Sequence, residues 1–319
     1  MNPVLAQIEK IGIVPVIRID DVEHAVPLAK ALAAGGIPCA EITFRTAHGV
    51  EAIRRITAQC PDVLTGAGTV TSTQQVDQAI DAGAKFVVSP GFNPKVVRYC
   101  LDKGMPITPG CSTTSDLEQA LEFGLEAVKF FPAEQSGGLD YIKAVSAPYN
   151  TLRFMPTGGI SAGNIAKYLA FDKIIACGGS WMVKPELLQT GKFDEVTRLC
   201  KEALGAVLGF SLAHVGLHAE NREEALRAAK LFEAMFGFKS KEGDRAVFAG
   251  TYVEVTKAPE MGKHGHIAIA TASVLRARAF LERQGFAFRE DTLELDKNGN
   301  PTAIYLQDEI LGFAIHLQK

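Results

Sequence analysis

Short apolar runs recur along the first two thirds of the chain at intervals of roughly 20–27 residues. They read GIVPVIR (12–18), CAEITFR (39–45), LTGAGTV (64–70), FVVSPGF (86–92), PITPGCS (106–112), AVKFFPA (127–133), RFMPTGG (153–159) and IIACGGS (174–180). Between them lie stretches with apolar residues three and four apart, among them 21–35, 72–83, 115–124 and 161–170. That spacing predicts amphipathic helices, with Asp21, Ser72, Ser115 and Ser161 as N-caps. Strand alternating with helix means parallel strands joined by crossovers. Eight such units in about 205 residues fit the lower size range of a closed (β/α)8 TIM barrel. A doubly wound open sheet is the alternative, but it gives no reason for the regular count.

The pattern changes near the glycines Gly205 and Gly209, and a short apolar segment places a boundary at 209–213. The chain therefore divides into 1–209 and 214–319. In the second part the order of elements repeats. HVGLHA (214–219) precedes an amphipathic helix (222–236), then Gly237-Phe238 and strand runs ending in TYVEV (251–255). HIAIA (266–270) precedes a helix (274–284), then Gly285-Phe286 and strands ending in GFAIHL (312–317). A βαβββ unit occurring twice predicts an α+β domain built on an internal repeat.

Composition narrows the function classes. With 47% hydrophobic and 22% charged residues among 319, the chain has ordinary globular composition. A net charge of −3 with both signs interspersed offers no basic stripe, which argues against nucleic acid. No apolar run approaches about 18 residues, so no membrane span is expected. The first residues, MNPVLAQIEK, lack a basic segment followed by an apolar core, so secretion is not expected either. The six cysteines are dispersed without a C-x-x-C pair, which predicts reduced, buried thiols and a cytoplasmic setting.

Chemistry concentrates at the strand ends, where a barrel builds its active site. Glu41, Thr43 and Arg45 alternate along the second strand and share one face, while Ala40, Ile42 and Phe44 take the other. Lys129 stands mid-strand between apolar neighbours. A lysine taken out of water loses proton affinity, and a free amine attacks carbonyls. Lys129 with Glu41 facing the same lumen thus suggests an imine-forming nucleophile and its proton-transfer partner. Strands seven and eight end in Gly158-Gly159 and Gly179-Ser180. Glycines let backbone N–H groups approach an anion closely, and this corner of a barrel is its usual phosphate site. Arg18, at the end of strand one, is a candidate for the same anion.

These segments together resemble one family. PVIR (15–18), EITFR (41–45), GAGTV (66–70), SPG (89–91), KFFPAE (129–134), PTGGIS (156–161) and GGSWMV (178–183) are similar to the 2-keto-3-deoxy-6-phosphogluconate (KDPG) and 4-hydroxy-2-oxoglutarate (KHG) aldolases. The resemblance implies a class I aldolase over residues 5–208, working through a lysine imine and no cofactor. Its substrate would be a small phosphorylated keto acid, and its assembly a homotrimer. It further implies that Lys129 forms the Schiff base and Glu41 moves protons. Arg45 and Thr69 would hold the carboxylate end, Pro90 and Phe131 would shape the pocket, and Gly158, Gly159, Gly179 and Ser180 would face the phosphate.

The doubled unit at 214–319 resembles the vicinal oxygen chelate fold of glyoxalases and extradiol dioxygenases. That resemblance implies a divalent metal held by His214, Glu254, His266 and His316, the last standing where metal-binding members usually carry Glu. His218 cannot share the ion with His214, since four residues of strand separate them by about 13 Å. The expected function is KDPG cleavage to pyruvate and glyceraldehyde 3-phosphate, with KHG cleavage beside it. The alternatives are a bifunctional enzyme with a second metal-dependent isomerase or lyase step, and a catalytically silent phosphosugar receptor.

Overall fold

The first eight strands are β1 (Ile13–Ile17), β2 (Cys39–Thr43), β3 (Leu64–Gly68), β4 (Val87–Ser89), β5 (Ile107–Cys111), β6 (Ala127–Phe130), β7 (Arg153–Pro156) and β8 (Cys177–Gly179). A computed structural model describes residues 1–319 and divides them into two units, 1–207 and 208–319. In the first unit every ladder is parallel and the strand order is β7-β6-β5-β4-β3-β2-β1-β8. Bridges from Phe154 to Ile174 and from Thr157 to Gly178 join the two ends, so the sheet closes into a TIM barrel. Its strands are buried almost throughout, as parallel strands covered by helices must be. All six cysteines lie in this unit without a disulfide, and all are buried.

Helix starts follow capping chemistry, with two departures from the expected boundaries. Ser72 caps Thr73–Asp81 by accepting from Gln75 N. Asp21 caps a single 3-10 turn, Val22–His24, which leads into the helix Ala25–Ala34. The helix expected from Ser115 instead spans Thr114–Glu122 and is capped by Thr113. Thr113 and Asp116 form a capping box, each side chain bonding the other's backbone N–H, so the start moves upstream. The helix expected over 161–170 is only Ile165–Leu169. Here the Asn164 side chain accepts from Ser161 N and donates to Gly159 O, which holds 161–164 as a turn.

The second unit is one mixed sheet of β9 (Ser211–His218), β10 (Ser240–Glu242), β11 (Ala246–Ala249), β12 (Val253–Thr256), β13 (His266–Ala270), β14 (Glu294–Leu295), β15 (Pro301–Tyr305) and β16 (Ala314–Gln318). Its order is β10-β11-β12-β9-β13-β16-β15-β14. Strand β12 runs parallel to β9, β16 runs parallel to β13, and β9 meets β13 antiparallel. Two copies of one βαβββ unit therefore lie side by side, with helices Arg222–Phe236 and Val274–Arg283 as the crossovers. Gly237 ends the first helix at φ 71° as a left-handed C-cap, and Gly285 stands at φ 92° just beyond the second. Both Gly-Phe pairs thus mark the turn from helix to strand. No helix is long and apolar enough to cross a membrane.

Candidate active site

Strands β2 and β6 bring Glu41 and Lys129 together inside the barrel. Lys129 Nζ lies 3.5 Å from Glu41 Oε1, with side-chain exposures of 6% and 1%. The second Glu41 oxygen, Oε2, is buried and has no partner. A buried carboxylate with a spare lone pair is costly unless a ligand or water completes it. Lys129 Nζ also lies 5.4 Å from the centre of the Phe131 ring, which forms one wall beside it. Phe131 is followed by a cis peptide bond to Pro132.

Space for this pair comes from β3. A Cβ on Gly68 would fall 2.7 Å from Glu41 Cγ and closer still to Oε1. The glycine's absent side chain is therefore the socket of the Glu41 carboxylate. The run GAGTV contains this residue, but nothing in the sequence alone says which strand faces Glu41. Its importance emerges only from the pairing of Glu41 with Gly66 and of Thr43 with Gly68 between β2 and β3.

The mouth of the barrel holds the remaining candidates. Strand β2 ends at Thr43, so Arg45 stands in the turn beyond it rather than on the strand as expected. Its Nε donates to Thr69 Oγ1 at 3.3 Å. Thr43 itself donates to Ile17 O at 2.8 Å and ties β2 to β1. Thr69 takes φ 58°, a left-handed conformation that is strained for a β-branched residue. A cavity of about 340 Å³ is lined by Arg18, Thr43, Arg45, Phe131, the 157–160 loop and the 178–180 loop. Gly158, Gly159, Gly179 and Ser180 thus share one wall with both arginines. Arg18 spends its Nε on Asp20 at 2.8 Å and remains about half exposed. Pro90 lies just past β4, exposed and outside that lining.

In the second unit the four central strands β9, β12, β13 and β16 converge four side chains. His214 Nε2 and His266 Nε2 each lie 3.0 Å from Glu254 Oε2 and 3.1 Å from one another. The donor atoms of His214, His266 and His316 all fall within 4.8 Å. His316 is 7% exposed, yet both of its ring nitrogens are buried without a partner. Burial, reinforced by the facing His266 and His214 rings, pushes its imidazole down to about 4, so it stays neutral. Burial alone would raise the Glu254 carboxyl, but hydrogen bonds from His214 and His266 outweigh it and hold it at about 2. Gly216 gives the His266 ring its room, since a Cβ there would overlap it. These donors open into a cavity of about 1140 Å³ whose wall includes Lys241, Arg245, Phe248, Glu260 and Tyr305. The Tyr305 ring stacks on His316 at 4.5 Å between centres, a contact that sequence spacing did not suggest. His218 keeps a buried, unpartnered Nε2, and His264 packs beside Phe313.

Comparison with known proteins adds to this geometry. The family model described as aldolase, KDPG and KHG aldolase, matches residues 4–199. A 2-dehydro-3-deoxy-phosphogluconate aldolase of Treponema pallidum (strain Nichols) is 50% identical over 207 residues, covering 65% of this chain and 99% of that protein. The KHG/KDPG aldolase of Escherichia coli (strain K12) is 43% identical over 192 residues, covering 60% of this chain and 90% of its own length. Among solved structures, the KDPG aldolase of Legionella pneumophila, with pyruvate captured at low pH as a covalent carbinolamine intermediate, matches with a TM-score of 0.61. It is 36% identical and covers 62% of this chain and 97% of that one. These matches span the barrel that houses Lys129 and Glu41, and the chain belongs to the KDPG and KHG aldolase family.

Proposed function

We propose that the barrel cleaves 2-keto-3-deoxy-6-phosphogluconate to pyruvate and glyceraldehyde 3-phosphate through an imine on Lys129, and accepts 4-hydroxy-2-oxoglutarate in the same way. The observation that carries this reading is the buried Lys129–Glu41 pair at 3.5 Å. The carbinolamine held by the Legionella relative supports it. Lys129 Nζ attacks the keto carbon, and loss of water leaves a protonated imine. Glu41, through a water, removes the proton of the C4 hydroxyl. The C3–C4 bond breaks, its electron pair passes to the imine nitrogen, and the aldehyde departs. The resulting enamine takes a proton at C3, and hydrolysis releases pyruvate and restores the amine. An imine supplies the electron sink that such a cleavage needs without a metal. Arg45 and Thr69 hold the carboxylate, Phe131 shapes the pocket, and the glycine loops with Ser180 and Arg18 receive the phosphate.

The test is borohydride reduction in the presence of pyruvate, followed by intact mass and peptide mapping. One reduced pyruvate on Lys129 is the expected adduct, and Lys129→Ala should neither trap it nor turn over. An adduct elsewhere, or wild-type cleavage by that variant, overturns the imine assignment. The barrel's relatives are metabolic enzymes, and we place this chain among cytoplasmic homotrimers acting on a small phosphorylated keto acid.

For the second unit a specific observation favours a divalent cation, in a module of vicinal oxygen chelate type. His316 presents two orphaned nitrogens beside His214, His266 and Glu254. Three imidazoles and one carboxylate suit zinc, nickel, iron or manganese. Such an ion would polarise an oxygen-bearing ligand in the adjoining cavity. The four side chains would hold the ion, and the Phe248 and Tyr305 rings line the cavity beside them. On this reading the chain carries a second, separate isomerase or lyase site.

A further inference from the structure

The loop after β7 forms part of the wall assigned above to the phosphate, and its backbone is soft. Gly158 and Gly159 stand at φ 101° and 79°, and glycine offers no side chain to fix such a conformation. The loop is held from outside, by residues just past β6. Ala133 N donates to Thr157 O at 2.8 Å, and Glu134 N donates to Gly158 O at 3.1 Å. The stem of Glu134 packs against Gly159, where an added Cβ would come 2.7 Å from Glu134 Cβ. Tyr168, 2% exposed, donates its hydroxyl to Glu134 Oε1 in a short hydrogen bond. Asn164 Nδ2 also donates to Gly159 O at 3.0 Å.

Glu134 is exposed and does not itself line that cavity, so water screens its charge from the ligand and its part there is mechanical. Its side chain bridges the buried Tyr168 to the glycine loop, accepting from the hydroxyl and packing its stem on Gly159. Burial, with Glu134 adding to it, pushes the Tyr168 phenol well up, so it remains a donor through the working range.

We infer that Glu134 and Tyr168 are positioning residues for the phosphorylated end of the substrate. Tyr168 fixes the Glu134 side chain, and Glu134 fixes the pitch of Gly158-Gly159 on the cavity wall. The inference rests on the reading that this wall receives phosphate. Neither residue touches the reacting carbons, so their loss weakens binding of the phosphate and spares the imine chemistry.

The experiment compares cleavage of 2-keto-3-deoxy-6-phosphogluconate with that of 2-keto-3-deoxygluconate, the same molecule without phosphate. In Tyr168→Phe and Glu134→Ala, KM for the phosphorylated substrate should rise roughly 10- to 100-fold, as for a misplaced binding group. Its kcat should change little, and kcat/KM for the unphosphorylated substrate should hold. Inhibition by inorganic phosphate should weaken in parallel. Glu134→Gln, which keeps an acceptor for Tyr168, should restore most of the KM. Pyruvate trapping on Lys129 and an unshifted melt identify variants that have folded. Equal losses on both substrates, or an unchanged KM in folded variants, overturn the positioning role. If the wild-type protein fails to prefer the phosphorylated substrate and is not inhibited by phosphate, the phosphate reading of the wall itself falls.

Discussion

Gly68 of β3 lies directly against the Glu41 carboxylate of β2, close enough that a Cβ would come within 2.7 Å of Glu41 Cγ. Glycine is required here for clearance and not for backbone freedom. Gly68→Ala must therefore displace the carboxylate or spread the strands. Overpacking of this kind costs about 1–3 kcal/mol. Misplacing the proton-transfer group costs roughly 10²-fold in kcat. Trapping of pyruvate on Lys129 should persist, because the amine itself is not moved. A wild-type kcat in this variant would detach Glu41 from the chemistry.

Glu41→Gln keeps the shape and removes the base. Its kcat should fall by roughly 10²–10⁴-fold, the usual range for losing a general acid–base group. The amide also leaves the Lys129 amine without its carboxylate. Steady-state cleavage and the rate of pyruvate trapping separate the two effects. An unchanged cleavage rate would assign proton transfer to another group.

Thr69 holds φ 58° while accepting a hydrogen bond from Arg45. The strain of a β-branched residue there is of order 1–3 kcal/mol, and Thr69→Gly relieves it while loosening the unfolded chain. We expect little change in melting temperature and a KM several-fold higher for substrate. Thr69→Ser, which keeps the hydroxyl, should retain the wild-type KM. A Thr69→Gly variant with wild-type KM would show that the Arg45–Thr69 contact does not serve the carboxylate.

Burial drives the thiols away from ionisation: Cys100 is pushed up to about 12, and Cys39 and Cys111 are raised further. Since the thiolate is the reactive form, the native protein should release no more than about one thiol to a disulfide reagent at pH 8, against six after denaturation. Cys60, 9% exposed, is the site expected to react first. Rapid release of several thiols would show that the barrel opens in solution.

The histidine cluster predicts one bound divalent ion per chain, measured by elemental analysis after gentle purification. His316→Ala and His266→Ala should each lower metal affinity. Chelation should leave barrel cleavage of KDPG unchanged, because the imine needs no ion. Stoichiometric metal in a His214, His266 and His316 triple-alanine variant would place the ion elsewhere.

Strand periodicity located all eight barrel strands, because parallel strands buried on both faces read as apolar runs. It located the doubled unit as well, since Gly237 and Gly285 mark equivalent helix ends in both copies. Helix starts were less legible. Thr113 and Ser115 are both plausible caps, and only the reciprocal bond with Asp116 decides between them. Alternation alone puts Arg45 on a strand that in fact stops two residues earlier, because it does not reveal where a strand turns. Lys129 was legible because a charge amid apolar strand residues is conspicuous. Gly68 and Tyr168 were not, since their roles come from neighbours distant in sequence.

The four candidate ligands of the second unit come two from each copy of the repeat, His214 and Glu254 from the first and His266 and His316 from the second. Neither half can assemble the set alone, so an ion there would be a staple across the seam between the two copies. Unfolding either half would have to release it. A ligand present at a hundred times its dissociation constant adds about 2.7 kcal/mol to the state that binds it. The persistence of this unit would then follow metal supply, and a cell short of that metal would lose the last third of the chain while its lysine chemistry continued.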